Sequence, residues 1–301
     1  MRRLLAGLGL IAVAAAVFAT WSLAAPTGAA RHSVAKAPKF PPVPSNAKSR
    51  HRWLIGVKCD FPPFGFIDVR GKHDGYDVQV ARRFAELAFG KTNRVSLTCV
   101  TTPSRIPTLI SGRVDMIIST LTWTQARADQ IDFSTPYYSA TGRLLVPNAS
   151  TLSLSSLGGK TVATTRGSIY GTWVRNCFKS SNLLEVDSPA AATLAVQNGQ
   201  ADTFMFDDAF LLGVATQDPT LKLTKDKFLN IPWGIGMRKG DAVMVKWVNA
   251  ALAYMKSKDE FVKIMKANAP ARLVGDFLDN VPRPKNTFSY PVGKDLTTVC
   301  P

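Results

Sequence analysis

Residues 53–100 read WLIGVKCDFPPFGFIDVRGKHDGYDVQVARRFAELAFGKTNRVSLTCV. The apolar run at 53–58 is too short for a stable helix and reads as a strand. Residues 77–89 carry apolar side chains at helical spacing, and 95–100 is a second apolar, β-branched run. Strand, amphipathic helix, strand is a βαβ opening, which predicts parallel strands with a helix on the sheet face.

Working outward, 106–111 reads as a short helix, 114–119 as a buried strand, 124–129 as one helical turn and 142–146 as a strand. The alternation then starts again. Strands are expected at 160–165, 183–186 and 203–206, and helices at 169–178, 189–198 and 208–214. A strand at 234–237 and helices at 243–256 and 260–266 close the body. Residues 275–301 are Pro-rich and mostly irregular. The fold class is α/β, in two lobes with parallel sheets.

A chain of 301 residues, 46% of them hydrophobic, can bury two such cores. Its formal charge of +16 raises binding to nucleic acid. Half of that excess precedes Trp53, in Arg2, Arg3, Arg31, Lys36, Lys39, Lys48, Arg50 and Arg52, with no acid to offset it. No basic run in the body is interleaved with aromatics, so no nucleic-acid partner is expected.

Arg2 and Arg3 followed by an apolar run at 4–25 and small residues form an export signal. A run of this length also spans a bilayer when uncut. Residues 1–30 are therefore a signal peptide or an N-terminal membrane anchor, placing the body in the periplasm or at the cell surface. Residues 31–51, basic and rich in Pro, Ala and Lys, read as a linker. Cys59, Cys99, Cys177 and Cys300 form no CxxC pair, which disfavours zinc and thioredoxin-like chemistry. In an oxidising compartment they predict disulfides, with three possible connectivities.

Ligands of open α/β sheets bind beyond the carboxyl ends of the strands. The segments there are 58–65 (KCDFPPFG), 120–127 (TLTWTQAR), 165–168 (TRGS) and 206–208 (FDD). Together they supply what a zwitterion requires, a guanidinium for its carboxylate, a carboxylate for its ammonium, and hydroxyls around both. No nucleophile stands beside a base, because His32, His51 and His73 lie in the tail or an early loop. Catalysis, cofactors and metals are not expected. Taken singly, Arg127 also fits a solvated surface arginine, Asp207 a helix N-cap, Arg166 and Lys58 surface charges, and Phe61 a core aromatic. Their joint position at strand ends is what favours a pocket.

These segments resemble the family 3 solute-binding proteins, the amino-acid-binding partners of polar amino-acid ABC importers. The resemblance rests on VKCDFPPFGF (57–66), GYDVQV (75–80), RIPTLISGRVD (105–115), TLTWTQAR (120–127), DFSTPYY (132–138), GQADTFMFDD (199–208) and GIGMRKGD (234–241). It implies a periplasmic-binding-protein-like fold of type II, two lobes joined by two hinge strands and acting as a monomer. Lobe 1 would comprise 52–140 and 235–275, lobe 2 141–234, with a tail at 276–301.

By motif, Arg127 matches the arginine that takes the ligand α-carboxylate, with Gly167 and Ser168 closing on it from lobe 2. Asp207 matches the partner of the α-ammonium, Thr120 and Thr122 hold ligand groups, and Phe61 lines the pocket. Trp123 stands where the family usually has an aliphatic residue. Lys58, Arg105 and Arg166 border the side-chain end, which implies glutamate or aspartate first and glutamine or asparagine next. The alternatives are a receptor domain for a signalling partner, or an enzyme on the same fold, a dehydratase or lytic transglycosylase. Cys59 and Cys99 follow parallel strands that should be neighbours, so they are expected to bond, leaving Cys177 for Cys300.

Overall fold

The computed structural model describes residues 40–301, and the stretch expected as a signal peptide or membrane anchor lies outside them. Among the described residues no helix is long and apolar enough to cross a membrane. The stretch expected as a linker is already folded where it is described. Helix α1 (Ser45–Arg50) buries Ala47, and Phe40 packs edge-on against Tyr254 at 5.5 Å. Arg50, itself partly exposed, donates from Nη2 to both oxygens of the buried Asp115 at 2.7 and 2.6 Å, a pairing that no local sequence pattern announces.

Lobe 1 opens with β1 (Trp53–Val57), followed by the short strands β2 (Asp60–Phe61), β3 (Gly65–Ile67) and β4 (His73–Asp74). Helix α2 (Tyr76–Phe89) turns Val78, Ala81, Phe84 and Ala85 inward at spacings of three and four, the stripe its sequence predicts. Then come β5 (Val95–Cys99), α3 (Arg105–Ile110), β6 (Met116–Ile117), α4 (Gln125–Ala128) and β7 (Ile131–Phe133).

The ten-residue strand β8 (Tyr138–Pro147) carries the chain into lobe 2. There follow β9 (Thr161–Thr165), α5 (Ile169–Cys177), β10 (Asn182–Val186), α6 (Pro189–Gln197), β11 (Thr203–Asp207), α7 (Asp208–Gln217), β12 (Leu221–Leu223) and β13 (Phe228–Trp233). The chain returns through β14 (Gly236–Arg238), α8 (Ala242–Ser257), α9 (Glu260–Asn268) and α10 (Val274–Leu278). Helix α8 starts where Asp241 accepts the Met244 N–H, and it seats Met244, Trp247, Val248, Ala251, Leu252 and Met255 on lobe 1.

The two large sheets are mixed rather than parallel, and the short strands β2, β3 and β4 form a small antiparallel sheet of their own. The lobe 1 order is β5-β1-β6-β14-β7; β1 runs parallel to β5 and β6, while β14 runs antiparallel to β6 and β7. In lobe 2 the order is β10-β9-β11-β8-β12, parallel up to β11 and antiparallel beyond it. The reversed strands are those that cross between the lobes or return from the crossing. Strand β13 pairs with the first half of β8, Trp233 facing Tyr138 and Phe228 facing Gly142. These paired crossings are packed by aromatics, with Phe64 edge-on to Tyr138 at 4.8 Å and to Trp233 at 5.1 Å. Each such buried ring is worth about 1.5–3 kcal/mol relative to exposure.

Two disulfides staple this frame. Cys59, two residues past β1, and Cys99, the last residue of β5, join at a Cα separation of 5.5 Å. Cys177, at the end of α5, joins Cys300. His73 Nε2 lies 3.5 Å from Cys99 Sγ, but with both sulfurs of that cluster oxidised no thiolate remains to ligate a metal.

Candidate functional site

The lobe 1 wall is the turn after β6. Thr120 sits there at φ +45°, a conformation that costs a β-branched residue energy and needs external support. Support comes from Asp77, whose carboxylate accepts the Thr120 N–H at 3.0 Å and the Tyr137 hydroxyl at 3.0 Å. Burial raises the Asp77 pKa to about 7 against the pull of these bonds and of Arg105. Asp77→Ala is expected to remove about 2–4 kcal/mol of stability, the two lost bonds being fully buried. It should also weaken ligand binding, since Thr120 loses its anchor. Thermal melts and titration of the same sample check both.

Arg105, buried in α3, donates from Nη1 to the Ser119 and Thr120 carbonyls at 2.8 and 3.1 Å. Its Nε is buried without a partner. Arg127 lies in the single turn of α4, which starts where Thr124 Oγ1 accepts the Arg127 N–H. Its guanidinium donates to the Thr122 carbonyl at 2.7 Å and, across the cleft, to the Gly167 carbonyl at 2.9 Å. Burial pulls the pKa of Arg105 down to about 10 and that of Arg127 to about 9, with Asp207 opposing. Both guanidinium groups stay charged at neutral pH.

Lobe 2 contributes the end of β11 and the start of α5. Asp207 precedes α7 but its side chain makes no cap bond. Instead its carboxylate accepts the Tyr170 hydroxyl at 2.7 Å. Burial raises its pKa to about 7; the Tyr170 bond, Arg105 and Arg127 act the other way, and Asp208 adds to the rise. Ser168 leads α5 with its hydroxyl 3.0 Å from Thr164 Oγ1. Gly167 has φ +74°, and a Cβ there would lie 3.2 Å from Pro103 Cα of the opposite lobe. A glycine lets the two walls approach this closely.

A cleft of about 270 Å³ lies between these walls, lined by Arg105, Thr120, Thr122, Arg127, Ser168 and Asp207 together with Thr102, Ile169, Tyr170 and Phe206. A larger hollow of about 1450 Å³ on the same measure opens on the outside of lobe 2 near Leu154, Phe178 and Pro301. The cleft is the candidate site, because strand-end residues of both lobes, Arg105 and Arg127 from one and Asp207 from the other, converge on it, whereas the hollow, with Lys179 and Asp226, is lined by lobe 2 and the C-terminal residue.

Three expected residues are placed differently. Lys58 is buried behind Thr102, donating to its hydroxyl at 3.2 Å, with Asp60 Oδ1 3.0 Å away. Burial lowers its pKa, Asp60 opposes and Arg105 adds. Phe61 is also one layer back, packed on Phe206 at 5.6 Å and Phe210 at 5.2 Å across the lobe boundary. Arg166 leaves the site altogether: its side chain is 58% exposed and pairs with Asp187 at 3.0 Å. The backbone after β9 sends residue 166 outward and residue 168 inward, and a solvated acid waits outside.

Tyr170, Thr102 and Asp77 were not singled out. Tyr170 is two residues past Ser168, on the first turn of a predicted helix, where a phenol one layer from a strand-end carboxylate is a natural partner. Asp77 is the acid inside GYDVQV, on the inward face of an otherwise apolar stripe, and that position was its signal.

Residues 54–269 match the family described as bacterial extracellular solute-binding proteins, family 3. The ABC transporter glutamine-binding protein GlnH of Bacillus subtilis is 33% identical over 222 residues, 73% of this chain and 81% of that protein. The glutamine-binding protein of Geobacillus stearothermophilus is 37% identical over 195 residues, 64% of this chain and 74% of its own. Among solved structures, the cysteine-binding protein of Campylobacter jejuni superposes with a TM-score of 0.72 at 26% identity, over 75% of this chain and 92% of that one. An ancestral arginine-binding protein bound to glutamine gives a TM-score of 0.68 at 31% identity, over 72% and 97%. The bilobal fold is thus the type II periplasmic-binding-protein fold, and the chain belongs to the bacterial extracellular solute-binding proteins of family 3.

Proposed function

We propose that this protein binds a free amino acid with an acidic or amide side chain outside the cytoplasm and hands it to an ABC importer. The carrying observation is that Arg127 on one lobe and Asp207 on the other line the same cleft. A zwitterion satisfies both charges at once and rewards closure, because each lobe holds one end of it. Transport rather than catalysis fits the cleft chemistry, in which Ser168 faces the Thr164 hydroxyl and not a base. Glutamine is the ligand named for two of the relatives above.

Arg105 is the group we assign to the side-chain oxygen. One nitrogen of its guanidinium is committed to backbone carbonyls, and its buried Nε still lacks an acceptor. A carboxylate or amide oxygen would supply one, worth about 1.5–3 kcal/mol as a charge-assisted bond. With Arg166 in solvent and Lys58 already beside Asp60, the excess positive charge at that end is smaller than three free cations would give. The acid is favoured over the amide by a correspondingly smaller margin.

Calorimetry with glutamate and glutamine on the wild type and on separate Arg105→Met and Lys58→Met variants tests this. Arg105→Met is expected to lower affinity for both ligands by about tenfold or more, in line with one lost charge-assisted bond. Lys58→Met should reduce the glutamate-to-glutamine ratio by less. Arginine or lysine emerging as the tightest ligand would sink the acid-or-amide assignment and leave amino-acid binding standing.

A further inference from the structure

Strands β8 and β13 are not the only route between the lobes. After α10 the chain runs back along the hinge, where the Ser139 N–H of β8 donates to the Asn280 carbonyl at 2.9 Å and Val281 is fully buried. It next reaches the binding wall of lobe 1. The Tyr290 ring stacks on Trp123 at 5.4 Å and 17°, and its hydroxyl donates to the Ser134 carbonyl at 2.6 Å. A Cβ on Gly234 would lie 2.0 Å from that hydroxyl, so the glycine leaves room for the clamp.

The same segment then crosses to lobe 2. Trp173 Nε1 donates to the Val299 carbonyl at 2.8 Å, Asn176 Nδ2 donates to the Thr297 carbonyl at 2.9 Å, and Cys300 is bonded to Cys177. All three partners sit on α5, whose first turn presents Ile169 and Tyr170 to the cleft. Trp123 for its part follows Thr122, whose carbonyl holds Arg127. One segment therefore grips both walls of the site, and its far end is covalent.

We propose that residues 279–301 are a disulfide-closed strap that favours the closed arrangement of the lobes and limits their opening. Between Tyr290 and Thr297 the chain has seven steps, about 24 Å if fully extended. Two turns shorten it, Lys294 N–H to the Pro291 carbonyl and Thr298 N–H to the Asp295 carbonyl. Opening must unfold those turns, unstack Tyr290 or break the anchor on α5. A strap of this kind raises the closed population before any ligand arrives, and apparent affinity rises with that population. It also gives the departure at Trp123 a purpose, since a flat indole provides the surface on which Tyr290 stacks. The affinity consequence rests on the amino-acid reading; the mechanical one does not.

The test uses the ligand-free full protein labelled through unnatural amino acids at exposed Val243 of lobe 1 and Leu194 of lobe 2. Inter-lobe distances are compared for the wild type, Cys177→Ser/Cys300→Ser, Tyr290→Ala and Tyr290→Phe. Both the double serine variant and Tyr290→Ala should broaden the distribution toward longer distances, and glutamine or glutamate should bind about threefold or more weakly. Tyr290→Phe keeps the stacked ring and should stay near the wild type. Distance distributions in the double serine variant and Tyr290→Ala that are unchanged from the wild type overturn the strap, whatever happens to the melting temperature. Wider distances in a protein that binds no amino acid even as wild type support the strap and refute the ligand assignment.

Discussion

Replacing Arg127 with alanine is expected to abolish amino-acid binding in calorimetry while the melting temperature of the ligand-free protein changes little. The guanidinium spans the cleft, with one nitrogen on the Thr122 carbonyl and another on the Gly167 carbonyl. A ligand carboxylate exchanges the neutral Gly167 oxygen for a charged acceptor, roughly doubling the strength of that bond. Without Arg127 the carboxylate is buried with no cation beside it except Arg105. Truncating one member of such a buried pair costs about 2–5 kcal/mol, which is about 30-fold to several-thousand-fold in affinity. The fold should tolerate the change, because α4 is a single turn and its Thr124 cap bond involves only the Arg127 main chain. Near-wild-type affinity would return Arg127 to the status of a surface arginine and remove the central support for the zwitterion reading.

The elements whose own residues dictate them were legible in the sequence. Helix α2 and helix α8 show inward stripes at helical spacing, and Ser188 with Pro189 announces the start of α6, where Ser188 Oγ accepts the Ala191 N–H. Strand β13 was not legible, because FLNIPW contains a proline that argues against a strand interior. The fold admits it since β8 is the one strand that pairs with β13 among the described residues; on its other side lies only the isolated Thr122–Trp233 bridge, where the Pro232 carbonyl accepts the Trp123 N–H and the missing proline N–H is not needed. The antiparallel return of β14 was equally hidden: GIGMRKGD looks the same in either direction, and only the chain's passage through lobe 2 decides it.

For the site, strand-end position carried most of the information and side-chain direction the rest. Arg105, Thr120, Thr122, Arg127, Ser168 and Asp207 meet because each follows or precedes a strand at the same edge. Arg166 shares that neighbourhood but points outward to Asp187, and Lys58 is intercepted by an acid two residues along. Long cationic side chains reach whichever partner is nearest, so their targets depend on packing that the sequence does not display. The C-terminal strap was visible only as a lone cysteine in a Pro-rich segment. Its stacking partner Trp123 lies far away in sequence, and nothing local links them.

Asp207→Asn is expected to reduce amino-acid affinity by about 30-fold or more at pH 8, since the ammonium loses its only charged partner on lobe 2. The asparagine can still accept the Tyr170 hydroxyl bond, so the fold should survive. A pure helix-cap role predicts instead a lower melting temperature with affinity unchanged, and the missing side-chain cap bond already weighs against that. The pH dependence sharpens the test. In the ligand-free wild type the Asp207 pKa is raised to about 7 by burial, so below that pH the carboxyl carries a proton that binding an ammonium must displace. Affinity should fall by about tenfold per pH unit below 7 in the wild type and stay nearly flat in Asp207→Asn. Stability runs the other way. A carboxyl whose folded pKa is raised holds its proton more tightly when folded, so its contribution is fully present below the unfolded value and is lost as pH rises through about 7. Melting of the ligand-free wild type should therefore drop between pH 4 and 7 while the increment conferred by ligand grows. Asp77 titrates in the same range behind Thr120, and the variant separates the two. An affinity slope that persists undiminished in Asp207→Asn would move the pH dependence to Asp77 and take the ammonium contact away from Asp207.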